Sequence, residues 1–201
     1  MKAVRYMACA AAAAVMFSIS CNADAAQINV PKDVFECVQS SARTNFFFNK
    51  QQIKFGVDSD GYIDQNVIIA PVLYTYDDVM VQDVSQKRRW RGDSMSGYDR
   101  LSGAAEYLSI DVKQRKVTIL EHDDIDDTMT TIGKRTGARE ISIDKLGEHH
   151  LLKNFFDTII TYADKHKDEL ISRTNGKVKE TVTEKQSTDK TKKSHRIRHK
   201  H

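Results

Sequence analysis

The sequence lacks the patterns that usually announce an enzyme. It has no Gly-x-Ser-x-Gly nucleophile motif, no phosphate-binding loop and no zinc-binding cysteine–histidine spacing. Its one long apolar stretch, residues 7–19, is too short to cross the roughly 30 Å hydrocarbon core of a bilayer as a helix. We therefore expect a protein without catalytic residues, a cofactor or a resident metal. We also expect that the stretch of residues 7–19 is not a transmembrane anchor.

The short apolar stretch instead has the features of an export signal. Lys2 and Arg5 give a positive start, and Ala23 and Ala25 place small residues where a signal peptidase cleaves. We predict a signal peptide over residues 1–25 and a mature chain that is periplasmic or secreted. In an alternative route, Cys21 is lipidated and anchors the protein to a membrane.

Cleavage after Ala25 changes the cysteine content. Of the three cysteines, Cys9 and Cys21 would be removed and Cys37 would remain. A single cysteine in an oxidising compartment is either buried and inert or able to link two copies into a homodimer. Burial is the simpler interpretation.

Charge is divided unevenly along the chain. The formal net charge is +3, yet residues 172–201 are rich in lysine and arginine, so the preceding part is acidic. Residues 172–201 also contain almost no large apolar side chains and cannot bury enough surface to offset ordering. We predict a folded domain over residues 26–171 and a disordered basic tail over residues 172–201.

The apolar pattern of residues 26–171 predicts an α+β domain. Apolar residues at four-residue spacing after Pro31 predict a helix over residues 32–48. Strands are expected at residues 53–57, 67–76, 79–84, 106–112, 116–121 and 139–143, with Pro71 marking an edge, a bulge or a break. Residues 86–103 are expected to form a long exposed loop, and Asp144 to cap a last helix over residues 145–171. The result is an antiparallel sheet of about five to six strands packed against an N-terminal and a C-terminal helix.

The predicted loop contains one candidate binding motif, Arg91-Gly92-Asp93. A cation and a carboxylate on either side of a flexible glycine can bridge the acidic pocket and the metal ion of an integrin. The simpler interpretation is a solvated turn.

Three other polar clusters have simple interpretations. Residues 58–64 crowd three aspartates but lack the remaining ligands of a calcium loop, so a turn is expected. Residues 121–127 are expected to form a solvated acidic loop. The basic end of the tail, residues 193–201, is able to contact an anionic surface, although a purely solubilising tail is the simpler interpretation.

Three short stretches resemble the bacterial surface-adhesin protein E family. They are Gly61-Tyr62-Ile63-Asp64, the hairpin formed by residues 106–112 and 117–120, and Ile141-Ser142-Ile143 before the last helix. The resemblance covers roughly residues 53–160, and in place of the cysteine pair of that family this chain has Asp111 and Ile160. It implies a small exported domain that binds host matrix or other macromolecules.

These observations lead to three functional hypotheses. The first is an exported, non-enzymatic, adhesin-like binding protein that faces the host, with a host matrix or envelope protein as its partner. The alternative is a periplasmic inhibitor or immunity-type protein that binds a toxin. An unrecognised hydrolase is the third.

Overall fold

A computed structural model describes residues 28–135 and 137–178, and in this part of the chain eight strands form one antiparallel sheet. The strands are β1 (Phe35–Ser40), β2 (Thr44–Asn49), β3 (Lys54–Val57), β4 (Ile63–Tyr76), β5 (Leu101–Asp111), β6 (Lys116–Asp126), β7 (Thr131–Arg135) and β8 (Arg139–Ser142). The helices are α1 (Asp78–Trp90), α2 (Leu151–Lys165) and α3 (Lys167–Arg173). The predicted α+β class is confirmed, with more strands than expected.

Three long strands, β4, β5 and β6, form the middle of the sheet. The sheet runs in the order β1-β2-β4-β5-β6-β7, and all of its pairings are antiparallel. Strand β3 shares one edge of β4 with β2, and β8 shares the outer edge of β6 with β7. The predicted hairpin is present as β5 and β6, and both strands are longer than the sequence pattern indicates.

Pro71 lies inside the central strand β4, a position that proline rarely occupies because it cannot donate a ladder hydrogen bond. On one side it is paired with Tyr107 of β5. On the other side the partner of β4 changes from β3, which ends at the Ile69 pair, to β2, which begins at the Val72 pair. Pro71 is tolerated because it falls in the gap between these two partners.

The helices cover one face of the sheet. Apolar side chains of α1, α2 and α3 join a large cluster with alternate residues of the strands, and Phe48, Phe155 and Ile159 are fully buried within it. A smaller cluster lies on the opposite face, where Ile28 and Val30 pack against Phe47, Leu73 and Ile125. We call the face without helices the open face.

The predicted helix over residues 32–48 is wrong, because this segment forms the hairpin of β1 and β2. The Ser41 hydroxyl oxygen accepts hydrogen bonds from the backbone N–H groups of Arg43 and Thr44 and closes the turn. Phe46 and Phe48 face the helices, whereas Phe47 faces the other way into the smaller cluster. A strand buried on both faces gives a continuous apolar run, which imitates the spacing of a helix.

The predicted strand over residues 79–84 and the predicted loop over residues 86–103 are also wrong. Helix α1 covers all of residues 79–84 and the first part of the predicted loop, residues 86–90. The Asp77 side chain caps this helix by accepting from the backbone N–H of Met80. The valines of this segment favour strands, but Val81 and Val84 pack against the core from the helix. Strand β5 begins at Leu101, so the true loop is short.

The last helical region differs from its prediction at both ends. Its first helix begins at Leu151, where the His150 ring accepts from the backbone N–H of Leu152, and the chain turns at His166 into α3.

The folded part also continues beyond residue 171. The Thr174 hydroxyl oxygen is buried and accepts from the backbone N–H of Phe55, and Lys177 is paired with Tyr62.

Two predictions concern residues outside the described ranges. The signal peptide over residues 1–25 and, of the disordered basic tail predicted over residues 172–201, the part from residue 179 onward both remain predictions. Within residues 28–135 and 137–178, no helix is long and apolar enough to cross a membrane.

Packing of α2 on the sheet is expected to contribute much of the stability. Phe155 is fully buried and contacts the rings of Phe46 and Tyr74, so Phe155→Ala is expected to lower the free energy of unfolding by about 3–5 kcal/mol. The control is Leu151→Ala, because Leu151 lies on the same helix but is exposed. Equal losses in urea denaturation would contradict this packing.

Candidate functional site

A network of charged side chains lies between the helices and one end of the sheet. The His122 ring donates from Nδ1 to Glu106 Oε1 at 2.7 Å and from Nε2 to Asp124 Oδ1 at 3.2 Å. Tyr74 donates to the second oxygen of Glu106, and Tyr98 donates to the second oxygen of Asp124 at 2.6 Å. Asp124 is fully buried and Glu106 almost so. We call these five side chains the His122 network.

Strand register assembles the network. Glu106 of β5 lies opposite His122 of β6, and Asp124 follows two residues later on the same face. Gly133 of β7 is paired with Asp124, and a Cβ atom there would come within 2.0 Å of the Tyr98 hydroxyl oxygen. Glycine at position 133 therefore leaves the space in which Tyr98 reaches Asp124.

The network holds a positive charge between two carboxylates. Burial lowers the pKa of His122, but its hydrogen bonds to Asp124 and Glu106 and their negative charges outweigh burial and raise this pKa to about 9. Burial likewise opposes ionisation of Asp124, while hydrogen bonds from His122 and Tyr98 hold the pKa of that carboxyl below its usual value. Because both ring nitrogens of the cationic imidazole donate hydrogen bonds, His122 must lose a proton before it can act as a base.

The network also fixes the segment that follows α1. The guanidinium of Arg88 lies over the Tyr98 ring, 4.1 Å from its centre, while the Tyr98 hydroxyl is held by Asp124. Arg88 also bonds the backbone oxygen of Ser94. The turn after α1 is therefore held by Arg88 at its beginning and by Tyr98, through Asp124 of β6, at its end.

This arrangement overturns the predicted solvated acidic loop over residues 121–127. Most of that segment is the second half of β6, and Asp124 and Asp126 are buried. Arg135 lies 3.5 Å from Asp124, and Arg100 lies 3.5 Å from Asp126, so each buried carboxylate has a cation near it. The acidic run is a strand whose two buried carboxylates, Asp124 and Asp126, are balanced by tertiary contacts.

A groove of about 310 Å³ lies on the open face of the sheet. Cross-strand rows form its floor: Pro71, Tyr107 and Glu121 make one row of β4, β5 and β6, and Leu73, Ala105 and Asp123 make the next. Its wall is completed by Phe35, Ile125 and Met129, among others. The groove therefore combines an apolar interior with two carboxylates from β6.

The tripeptide Arg91-Gly92-Asp93 lies on the exposed turn directly after α1. Gly92 adopts a positive φ of 73°, which a residue with a side chain rarely takes. Arg91 Nε lies 2.9 Å from Asp93 Oδ2, so the two charged side chains are paired with each other. Such exposed pairs contribute only about 0.2–1 kcal/mol, so a ligand can readily separate them. Integrin binding by this turn remains a prediction.

The aspartates of residues 58–64 form a turn, as predicted. The Asp58 side chain accepts hydrogen bonds from the backbone N–H groups of Asp60 and Tyr62, and Gly61 has a positive φ. Among the residues that the structure describes, no group of three histidines, cysteines or carboxylates has the geometry to hold a metal ion.

Cys37 lies on β1 and packs, half-buried, against the smaller apolar cluster of the open face. Its sulfur is part of a disulfide. The other two cysteines of the chain, Cys9 and Cys21, lie outside the described residues. The simpler interpretation of Cys37 as a buried and inert thiol is therefore wrong, and a link between two copies remains a prediction.

Two comparisons with known proteins identify no family for this chain. No family model matches this chain, and no curated protein matches it either. The resemblance to the surface-adhesin protein E family thus stays a prediction.

Sequence reasoning missed both the His122 network and the groove. Their residues come from different strands, and only the pairing register brings them together. One sequence pattern could have predicted the network. Glu106 alternates with Leu108 and Ile110, which places its side chain on the buried face of the strand. A buried glutamate requires a partner, and His122 is the nearest basic residue across the hairpin.

The raised pKa of His122 makes stability depend on pH. Ionised His122 stabilises the fold fully below its unfolded value of about 6.5, and this contribution is lost as the pH rises through about 9. The free energy of unfolding is expected to fall over this window by at most about 3 kcal/mol. His122→Gln is expected to remove this dependence.

The control for this measurement is His149→Gln, because His149 is exposed and precedes α2. It should preserve the wild-type profile in urea denaturation between pH 6 and 10. A wild-type profile as flat as that of His122→Gln would mean that the ring carries no charge in the folded protein.

Proposed function

We propose that this chain is an exported, non-enzymatic binding protein that holds a protein partner in the groove of its open face. The partner is a host matrix or bacterial envelope protein that presents a basic segment with an apolar side chain. Because of the resemblance to surface adhesins, host matrix proteins are the first partners to test. A toxin bound by an immunity-type protein is the alternative partner for the same groove.

The observation that carries this proposal is the position of the groove. All three helices cover the other face of the sheet, so Pro71 and Tyr107 lie half-buried, beside buried Leu73, on the face without helices. Within the described residues, the segment around Ile28 covers part of this face. Apolar concave surfaces with a few polar groups are typical binding sites. Glu121 contributes a negative charge to the groove, whereas Asp123 is paired with Lys134 of β7 at 3.4 Å. The charge of Glu121 favours a basic partner.

The His122 network supports a binding rather than a catalytic role. Its two carboxylates are buried, the pKa of its imidazole is raised to about 9 by them, and both ring nitrogens form hydrogen bonds. A general base needs a nitrogen that is free to accept a proton near neutral pH. The network instead stiffens the sheet behind the groove, and a rigid site loses less conformational entropy when it binds.

Export itself is tested by mass spectrometry of the mature protein after cell fractionation. We expect the chain to begin at Ala26. A chain that begins at a lipidated Cys21 would instead indicate the membrane-tethered alternative. Intact protein in the cytosol with Met1 attached would contradict export.

The groove is tested by capture of purified matrix and envelope proteins and of cognate toxins on the immobilised mature protein. Tyr107→Ala and Glu121→Lys are expected to weaken capture at least ten-fold, because one removes an apolar contact and the other reverses the charge of the groove. The matched control is Glu148→Lys, since Glu148 is exposed in the segment before α2.

Three outcomes separate the hypotheses. Capture of a matrix or envelope protein that only the groove variants weaken supports the adhesin-like proposal, and capture of a toxin supports the alternative. Integrin capture that is lost with Asp93→Ala but kept with Tyr107→Ala would assign binding to the Arg91-Gly92-Asp93 turn. Equal weakening by Glu121→Lys and Glu148→Lys would contradict a role of the groove.

A further inference from the structure

An exposed tryptophan lies at the C-terminal end of α1, next to several basic residues. Trp90 is the last residue of the helix, its exposed fraction is 75 %, and it is the only tryptophan of the chain. Lys87, Arg88 and Arg89 precede it in the last helical turn, and Arg91 follows. We call Arg89, Trp90 and Arg91 the α1 tip.

Helix electrostatics explains only part of this arrangement. Cations near the C-terminus of a helix interact favourably with its dipole, and Lys87 and Arg91 also pair with Asp83 and Asp93. Arg89, however, forms no ion pair with any residue in the described part of the chain. The dipole also gives no reason for the Trp90 ring to face water, because tryptophan is usually buried to a large extent.

The α1 tip is held on a firm base. Arg88 packs on the Tyr98 ring, and Tyr98 is held by the fully buried Asp124. The loop after the tip also contacts β7, where a side chain at Gly97 would meet Ile132 within 3.2 Å. The residues on both sides of the tip are therefore held in place, while Trp90 itself is exposed.

We propose that the α1 tip is a membrane contact site that binds the surface of a bilayer with anionic phospholipids. Tryptophan favours the boundary between headgroups and acyl chains, where its ring is apolar and its N–H remains solvated. Arginine forms charge-assisted hydrogen bonds with phosphate groups. Trp90 inserts at this boundary, and Arg89 and Arg91 bind the surrounding headgroup phosphates.

Charge and geometry favour a bilayer over a nucleic acid. The part of the chain between residues 26 and 171 is acidic, so the cationic tip is a local exception to its surroundings. Binding of single strands typically uses several aromatic side chains along a positive groove. The tip has one ring on a convex helix end, which suits shallow insertion into a planar surface.

The test uses the full chain with vesicles of phosphatidylcholine, with or without phosphatidylglycerol. Because Trp90 is the only tryptophan, the emission of the protein reports the environment of this residue alone. We expect co-sedimentation and a blue shift of the emission with the anionic vesicles only, and both should weaken as salt is added.

Substitutions then assign the binding to the tip. Arg89→Gln is expected to weaken vesicle binding about five-fold, the effect of one cation near an anionic surface. Trp90→Ala is expected to weaken it at least as much. The matched control is Arg43→Gln, because exposed Arg43 lies beside Asp77 at the opposite end of α1 and should not change binding.

Two results would overturn the proposal. One is an absence of binding to anionic vesicles at low salt. The other is binding that leaves the Trp90 emission unchanged, which would assign the contact to the basic segment of residues 179–201. Capture in the groove is measured without lipid and with different variants, so the two proposals succeed or fail independently.

Discussion

The buried carboxylate of Asp124 is the constraint on which one end of this structure depends. A fully buried charge is tolerated only when it is paired and hydrogen-bonded, and removal of one partner of a buried pair typically costs about 3–5 kcal/mol. His122, Tyr98 and Arg135 supply these partners from β6, the segment before β5 and β7. The register of three strands and the position of the loop after α1 are thus coupled to one side chain.

This coupling links the two proposed contact surfaces. Glu106 and Asp124 point toward the helices, whereas the alternating neighbours Ala105 and Asp123 point into the groove of the open face. The same strands therefore carry a closed charge network on one side and a concave surface on the other. Through Tyr98 and Arg88, the network also holds the residues on both sides of the α1 tip in place. Rigid presentation of both surfaces is a consequence of one buried cluster.

The errors in the sequence-based prediction have a common physical origin. Phe46, Phe47 and Phe48 pack on both faces of a sheet, which removes the alternation by which a half-buried strand is recognised. The valines of α1 favour a strand locally, but the Asp77 cap and packing of Val81 and Val84 on the core override that preference. In both cases tertiary burial decided between two conformations of similar local preference.

The sequence by itself determined the α+β class, the hairpin that became β5 and β6, and the turn at Gly61, because each depends on neighbours within a few residues. Tertiary structure alone decided that Glu106 meets His122, that Pro71 sits at a change of partner strands and that the groove exists. These features require strand register. Register is set by which side chains are buried together, and segments far apart in the chain contribute to that burial.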